Sequence, residues 1–140
     1  MIVLDTNVLS EAMSPNPDEK VRQYLIEQAS QELFTTSVSL AEILYGIELL
    51  PAGKRRSGLL AAAISMFERL FPGRILPFDE DAARAFAPIA AQRRAVGRPV
   101  SLFDAQIAAI ARAREAILVT RNTSDFERCG LRLVNPWQHA

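Results

Sequence analysis

Only one cysteine, Cys129, and one histidine, His139, occur among the 140 residues. A single thiol excludes an intrachain disulfide and a cysteine-rich zinc site. A single imidazole, one residue from the C-terminus, is no basis for paired-histidine acid–base chemistry, a histidine-ligated metal centre, or a Cys-His or Ser-His-Asp hydrolase. Lysine is nearly missing too: Lys20 and Lys54 are the only two. Charge of one sign does not dominate, since 16 basic and 16 acidic residues balance to a net charge of +0. That balance excludes a protein that coats nucleic acid by bulk positive charge, so any such contact must be a local patch. No apolar run approaches the roughly 18 residues of a membrane span. Met1-Ile2-Val3-Leu4-Asp5 meets an acid before a secretory h-region can form. A soluble, cytoplasmic protein without a membrane partner is expected.

The chain is 49% hydrophobic, a globular composition, and its length suits one domain over residues 1–140. Ile2-Val3-Leu4, Leu33-Phe34-Thr35-Thr36, Ile117-Leu118-Val119-Thr120 and Leu131 to Val134 are short apolar runs that predict buried strands. Arg74 to Phe78 is a further candidate, confined by Pro77 to a strand end or edge. Helices are predicted from Val8 to Met13, Pro17 to about Ser30, Ser39 to Leu50, Leu59 to Phe71 and Ser101 to Arg114. Asp79 to Val96 reads as an Ala-rich helix interrupted and kinked by Pro88 and closed by Gly97. Gly53 to Gly58 reads as a basic turn. Apolar strands alternating with helices predict an α/β fold: a central, mostly parallel sheet with helices on both faces.

Ligands bind such sheets beyond the carboxyl ends of the strands. Asp5 follows the first strand directly, and Asn122 and Asp125 follow the strand ending at Thr120. Glu42 and Asp104 stand in the first turns of two predicted helices. Each has an ordinary alternative: Asp5 as a helix N-cap, Ser39-x-x-Glu42 and Ser101-x-x-Asp104 as capping boxes, Asp125 as a turn cap. Yet Glu42 and Asp104 lie inside apolar runs with no lysine nearby. An ionised carboxylate near a core needs a compensating charge, and oxygen donors of this kind suit magnesium or manganese.

Four segments, in order, resemble the motifs of PIN-domain toxins: Ile2 to Ser10, Val38 to Gly46, Asp104 to Ala109, and Thr120 to Phe126. Gly73 to Asp79 and Asn135-Pro136-Trp137 are similar to the VapC/FitB-like branch. The resemblance covers nearly the whole chain. It implies a parallel-sheet fold, a homodimer, and endoribonuclease activity dependent on Mg2+, with Mn2+ as an alternative. It also implies a cognate antitoxin that blocks the site and carries a DNA-binding end. By position it assigns metal binding to Asp5, Glu42 and Asp104. The fourth acid is Asp in some relatives where this chain has Asn122, and lies three residues on in others, as Asp125 does here. Asp125 is therefore expected to complete the set, with Asn122 as a neutral ligand or water-holder. Thr6 and Thr120 are expected either to support the carboxylates or merely to bond local backbone. Lys54-Arg55-Arg56, Arg93-Arg94, Arg98 and Arg121 are candidates for RNA contact, whereas Trp137 and Tyr45 read as packing residues. An aspartyl-phosphate enzyme is a poorer reading, because Asn7 stands where that class needs a second acid and neither lysine follows a strand. A degenerate PIN module that binds without cutting is the other alternative.

Overall fold

Ile2, Val3 and Leu4 are all buried, which only a strand covered on both faces can achieve. A computed structural model describes residues 1–140. This run is its central strand, β1 (Ile2–Leu4), followed by α1 (Thr6–Met13), α2 (Glu19–Glu27), β2 (Leu33–Thr36), α3 (Ser37–Glu48) and α4 (Lys54–Leu70). Then come β3 (Ile75–Leu76), α5 (Glu80–Ala95), α6 (Leu102–Ala113), β4 (Ile117–Val119) and β5 (Arg132–Val134). Short 3-10 turns occupy Ser30–Glu32, Thr123–Phe126 and Pro136–Gln138.

The five strands lie in the order β3-β2-β1-β4-β5, and every pairing is parallel. The mostly parallel sheet expected is thus wholly so; the connections up to β4 run through helices that cover its faces, and β4 reaches β5 through a 3-10 turn. Strand periodicity divides the core accordingly. Val3 and Leu118 face one cluster with Ile89, Ile107 and Ile110 of α5 and α6. Ile2, Leu4 and Val119 face another with Val8, Val21 and Phe67 of α1, α2 and α4. The chain builds outward from β1 through β2 to β3, then crosses to β4 on the other side. The β1–β4 seam is therefore the topological switch point, where adjacent loops diverge and leave a crevice beyond the strand ends.

Several local expectations change. The basic segment after Gly53 is not a turn but the first turn of α4, with the Ser57 N–H donating to the Gly53 carbonyl at 3.1 Å. Arginine and lysine favour helix, and the buried Ala63–Phe67 face anchors the extension despite Gly58. Helix α5 runs through Pro88 without a break. Pro88 is exposed, so a carbonyl left without its partner there can bond water. Gly97 closes that helix as expected, in the left-handed region at φ 74°, its N–H donating to the Arg94 carbonyl. No helix is long and apolar enough to cross a membrane.

Arg93, read from sequence as an RNA contact, is 4% exposed. Its guanidinium donates to the carbonyls of Arg98 at 3.1 Å, Glu127 at 3.0 Å and Ser124 at 3.5 Å. The fork thus ties the loop entering α6 to the turn after β4, a structural use that burial imposes on it. Arg93→Ala leaves these carbonyls without their donor and is expected to cost roughly 2–4 kcal/mol, against less than about 0.5 for the exposed Arg94→Ala. Urea unfolding of both variants reads the difference, and equal midpoints would refute the clamp.

Candidate active site

Asp5 is the first residue past β1 and Thr120 the first past β4, on either side of the switch point. The Asp5 N–H donates to the Val119 carbonyl at 2.9 Å, extending the β1–β4 ladder by one rung. Pairing in this register brings the Thr120 hydroxyl to Asp5, where it donates to Oδ2 at 2.7 Å. The Thr6 N–H donates to Oδ1 at 2.8 Å, and the Asn7 amide reaches Oδ2 at 3.4 Å. Asp5 thus also caps α1, so the ordinary reading holds beside the functional one. Only 3% exposed, its carboxyl has hydrogen-bond donors but no cation.

Glu42 arrives from α3, which starts two residues earlier than expected. Thr36 caps it, its Oγ1 accepting from the Ser39 N–H at 3.0 Å. Ser39-x-x-Glu42 is consequently not a capping box: Ser39 is buried one turn inside, its hydroxyl 2.9 Å from that of Thr6. Thr6 in turn donates to Glu42 Oε1 at 2.7 Å. Both threonines therefore bond carboxylates, and Thr120 also meets the ordinary expectation by accepting from local backbone. Asp104 enters on the first turn of α6, where Ser101 is the cap and accepts from the Asp104 N–H at 3.1 Å. Asp125 is half-buried in the 3-10 turn after β4, its N–H donating to the Asn122 carbonyl at 3.0 Å. Asn122 is exposed; its N–H donates to the Thr120 hydroxyl at 3.1 Å. Sequence reasoning missed Asn7, which touches Asp5 and Thr120 and accepts from the Arg121 N–H at 3.3 Å. The Asp-x-Asn spacing, two residues from an acid at a strand end, was its available signal.

All four acids fall within electrostatic reach of one another as a chain. Burial pushes the Asp5 carboxyl from 3.8 up to about 6, against the lowering effect of the Thr120 and Thr6 bonds, and Asp104 and Glu42 raise it further. Burial likewise raises Glu42, opposed by Thr6 and reinforced by Asp104. Burial raises Asp104, opposed by Ser101 and reinforced by Asp125. None of the four belongs to any of the five ion pairs. No three of these acids stand at metal-ligating separation. The donor set nonetheless fits a hard divalent cation, since it is all oxygen, partly desolvated and short of positive charge. Lys20 and Lys54 are exposed at the starts of α2 and α4, so no lysine serves Asp5 as an aspartyl-phosphate enzyme requires.

Acids outside any ion pair thus stand beyond the strand ends of a parallel α/β sheet. Residues 2–130 match the PIN domain family, and the chain belongs to it. It is 39% identical to a VapC ribonuclease, Y4jK, of Sinorhizobium fredii over all of both chains. It is 35% identical to toxin FitB of Neisseria gonorrhoeae over 98% of this chain and 99% of that one. The structure of FitAB bound to a DNA fragment superposes with a TM-score of 0.90 at 34% identity, covering 100% of this chain and 98% of that one.

Desolvation of Asp5 sets a pH dependence of known sign. Its folded pKa lies above the unfolded value, so between pH 3.8 and about 6 the folded state binds the extra proton. That contribution to stability is complete below pH 3.8 and lost as pH rises through 6. It amounts to roughly 3 kcal/mol. Without divalent cation, the melting temperature is expected to fall across this window, and Asp5→Asn to flatten the fall and melt higher than the parent at pH 7. Parallel melting-versus-pH curves for both proteins would contradict the burial argument.

Proposed function

We propose that this chain, acting as one domain over residues 1–140, is a divalent-metal-dependent endoribonuclease and the toxin of a toxin–antitoxin pair. The observation that carries this reading is a buried Asp5 whose carboxyl feels Glu42 and Asp104, with Asp125 acting in turn on Asp104 and no cation of the chain's own paired to any of them. Membership of the PIN domain family and the named activity of the ribonuclease relative support it.

Asp5, Asp104, Glu42 and Asp125 would hold Mg2+, or Mn2+. The ion supplies Lewis acidity toward a phosphodiester and lowers the pKa of water beside it. Thr120 fixes the Asp5 carboxylate from one side and Thr6 fixes Glu42 from the other, so each presents its remaining lone pairs to the crevice. Glu42, oriented by Thr6, would accept a proton from the attacking water. Asn122, exposed at the rim, orients water or the scissile phosphate. RNA is the substrate and a homodimer the working assembly in this reading.

For the antitoxin, the chain offers a groove of about 370 Å3 lined by Thr6, Met13, Glu42, Ile43, Ile47 and Leu59. Leu40 and Leu44, on the same helix as Glu42, pack, partly buried, against the core beneath it. An antitoxin segment with apolar anchors and one arginine would fit, its guanidinium reaching Glu42. The FitAB neighbour bound to DNA supports a partner with a DNA-binding end.

Cleavage of a defined RNA in magnesium tests the proposal. The parent is expected to cut only with the ion, and Asp104→Asn to lose at least about 100-fold in rate. Thr120→Val is expected to raise the magnesium requirement about 10- to 100-fold. Asp125→Ala should cost more than Asn122→Ala, and the reverse order would hand the fourth position to Asn122. A folded parent that binds RNA without cutting it would favour the non-cleaving module.

A further inference from the structure

An RNA strand approaching four carboxylates meets repulsion, and a chain of zero net charge offers no general attraction to offset it. A fixed local cation is needed beside the acids. Of the arginines considered for this, Arg93 is buried in the clamp described above, and Arg56 turns back to the carbonyls of Glu48 and Leu50. Arg121 differs. It is exposed, it directly follows Thr120, and it pairs with no carboxylate. Its backbone is held at both ends: its N–H donates to Asn7 Oδ1 at 3.3 Å, and its carbonyl accepts from the Asn135 amide at 3.3 Å. Its guanidinium carbon lies over the Trp137 ring, 4.9 Å from the centroid. Trp137 is itself fixed, packed against the core beside β5, with its N–H donating to Asn135 Oδ1 at 2.9 Å.

This geometry answers a specific problem. A free arginine at the rim of an acid cluster would fold onto the nearest carboxylate and neutralise it, competing with both metal and substrate. The Trp137 face attracts the cation and holds it off the acids. Its N–H edges remain available to a phosphate, and a guanidinium plane is a surface on which an unpaired base can stack. We propose that Arg121, held by Trp137 and Asn7, is the backbone clamp for single-stranded RNA, gripping a phosphodiester near the one presented to Asp5. The assignment rests on the nuclease reading and adds to it the binding site on the β4–β5 side of the crevice. Because Asn7 also touches Asp5, the clamp and the acid share one support.

The test is binding rather than turnover. A short fluorescein-labelled single-stranded oligoribonucleotide is titrated, by anisotropy at several salt concentrations, into the Asp5→Asn protein, which holds RNA without consuming it. Adding Arg121→Gln is expected to weaken binding roughly tenfold and to make the slope of log K against log salt shallower by about 0.7. Arg121→Lys keeps the charge, so the slope is retained while affinity falls, because the planar stack is lost. Trp137→Phe is expected to resemble Arg121→Lys, with melting curves confirming the fold of each variant. If the Asp5→Asn protein binds RNA and Arg121→Gln binds it equally with the same slope, the clamp is refuted while the nuclease reading stands. If the Asp5→Asn protein binds no RNA, both fall. If Arg121→Gln spares RNA binding but abolishes capture of the antitoxin, the pair is a protein-docking surface and the RNA clamp is refuted.

Discussion

The hydrogen bond from Thr120 to Asp5 is the contact on which the site depends. It joins the first residues beyond two neighbouring parallel strands, so it exists only when β1 and β4 pair in the observed register. A slip of one residue would turn Asp5 toward a helix layer and Val3 toward the opposite one. The same seam is where the chain changes direction across the sheet, which opens the crevice the carboxylate faces. Backbone pairing, core packing and acid placement are therefore one constraint. The two hydrophobic clusters that flank the sheet hold the register that the acid requires.

Folding brings these acids together at an energetic cost. Desolvation raises Asp5, Glu42 and Asp104, and each is raised further by another acid of the group. Such an arrangement weakens the fold near neutral pH and would be removed by selection for stability alone. A cation bound by these acids would offset that cost by mass action. Threonine hydroxyls and an asparagine amide, rather than basic residues, orient the carboxylates. Neutral donors fix geometry without cancelling the charge that would attract the ion.

The two arginines that border this region divide the work of positive charge. Arg93 is buried and saturated by main-chain carbonyls, joining the loop that leads to Asp104 with the turn that bears Asp125. Arg121 is exposed and held by an aromatic face. Neither neutralises an acid of the site, so the crevice keeps its charge while its walls are pinned. Sequence alone set Arg121 apart by its place in the fourth motif, but it did not single out Arg93, since a run such as Arg93-Arg94 looks equally solvated at each position.

Alternation of apolar strands with helices, the order of four acid-bearing segments and the scarcity of histidine, cysteine and lysine determined the parallel α/β fold and the carboxylate character of the site. These properties follow from local pattern and residue chemistry. The helical start at Lys54 was misread as a turn, and the expected interruption at Pro88 is absent from a helix otherwise placed where the pattern put it, because a buried face can outweigh a local breaker. Sequence left the capping box at Ser39 open because a capping box and a buried serine share one spacing; only the end of β2 makes Thr36 the cap. Tertiary structure alone decided that Thr120 reaches Asp5 across 115 residues, that Thr6 reaches Glu42 across 36, and that Arg121 rests on Trp137. Such contacts depend on which strands become neighbours. Strand order is set by the packing of the whole core, and no local run of residues carries it.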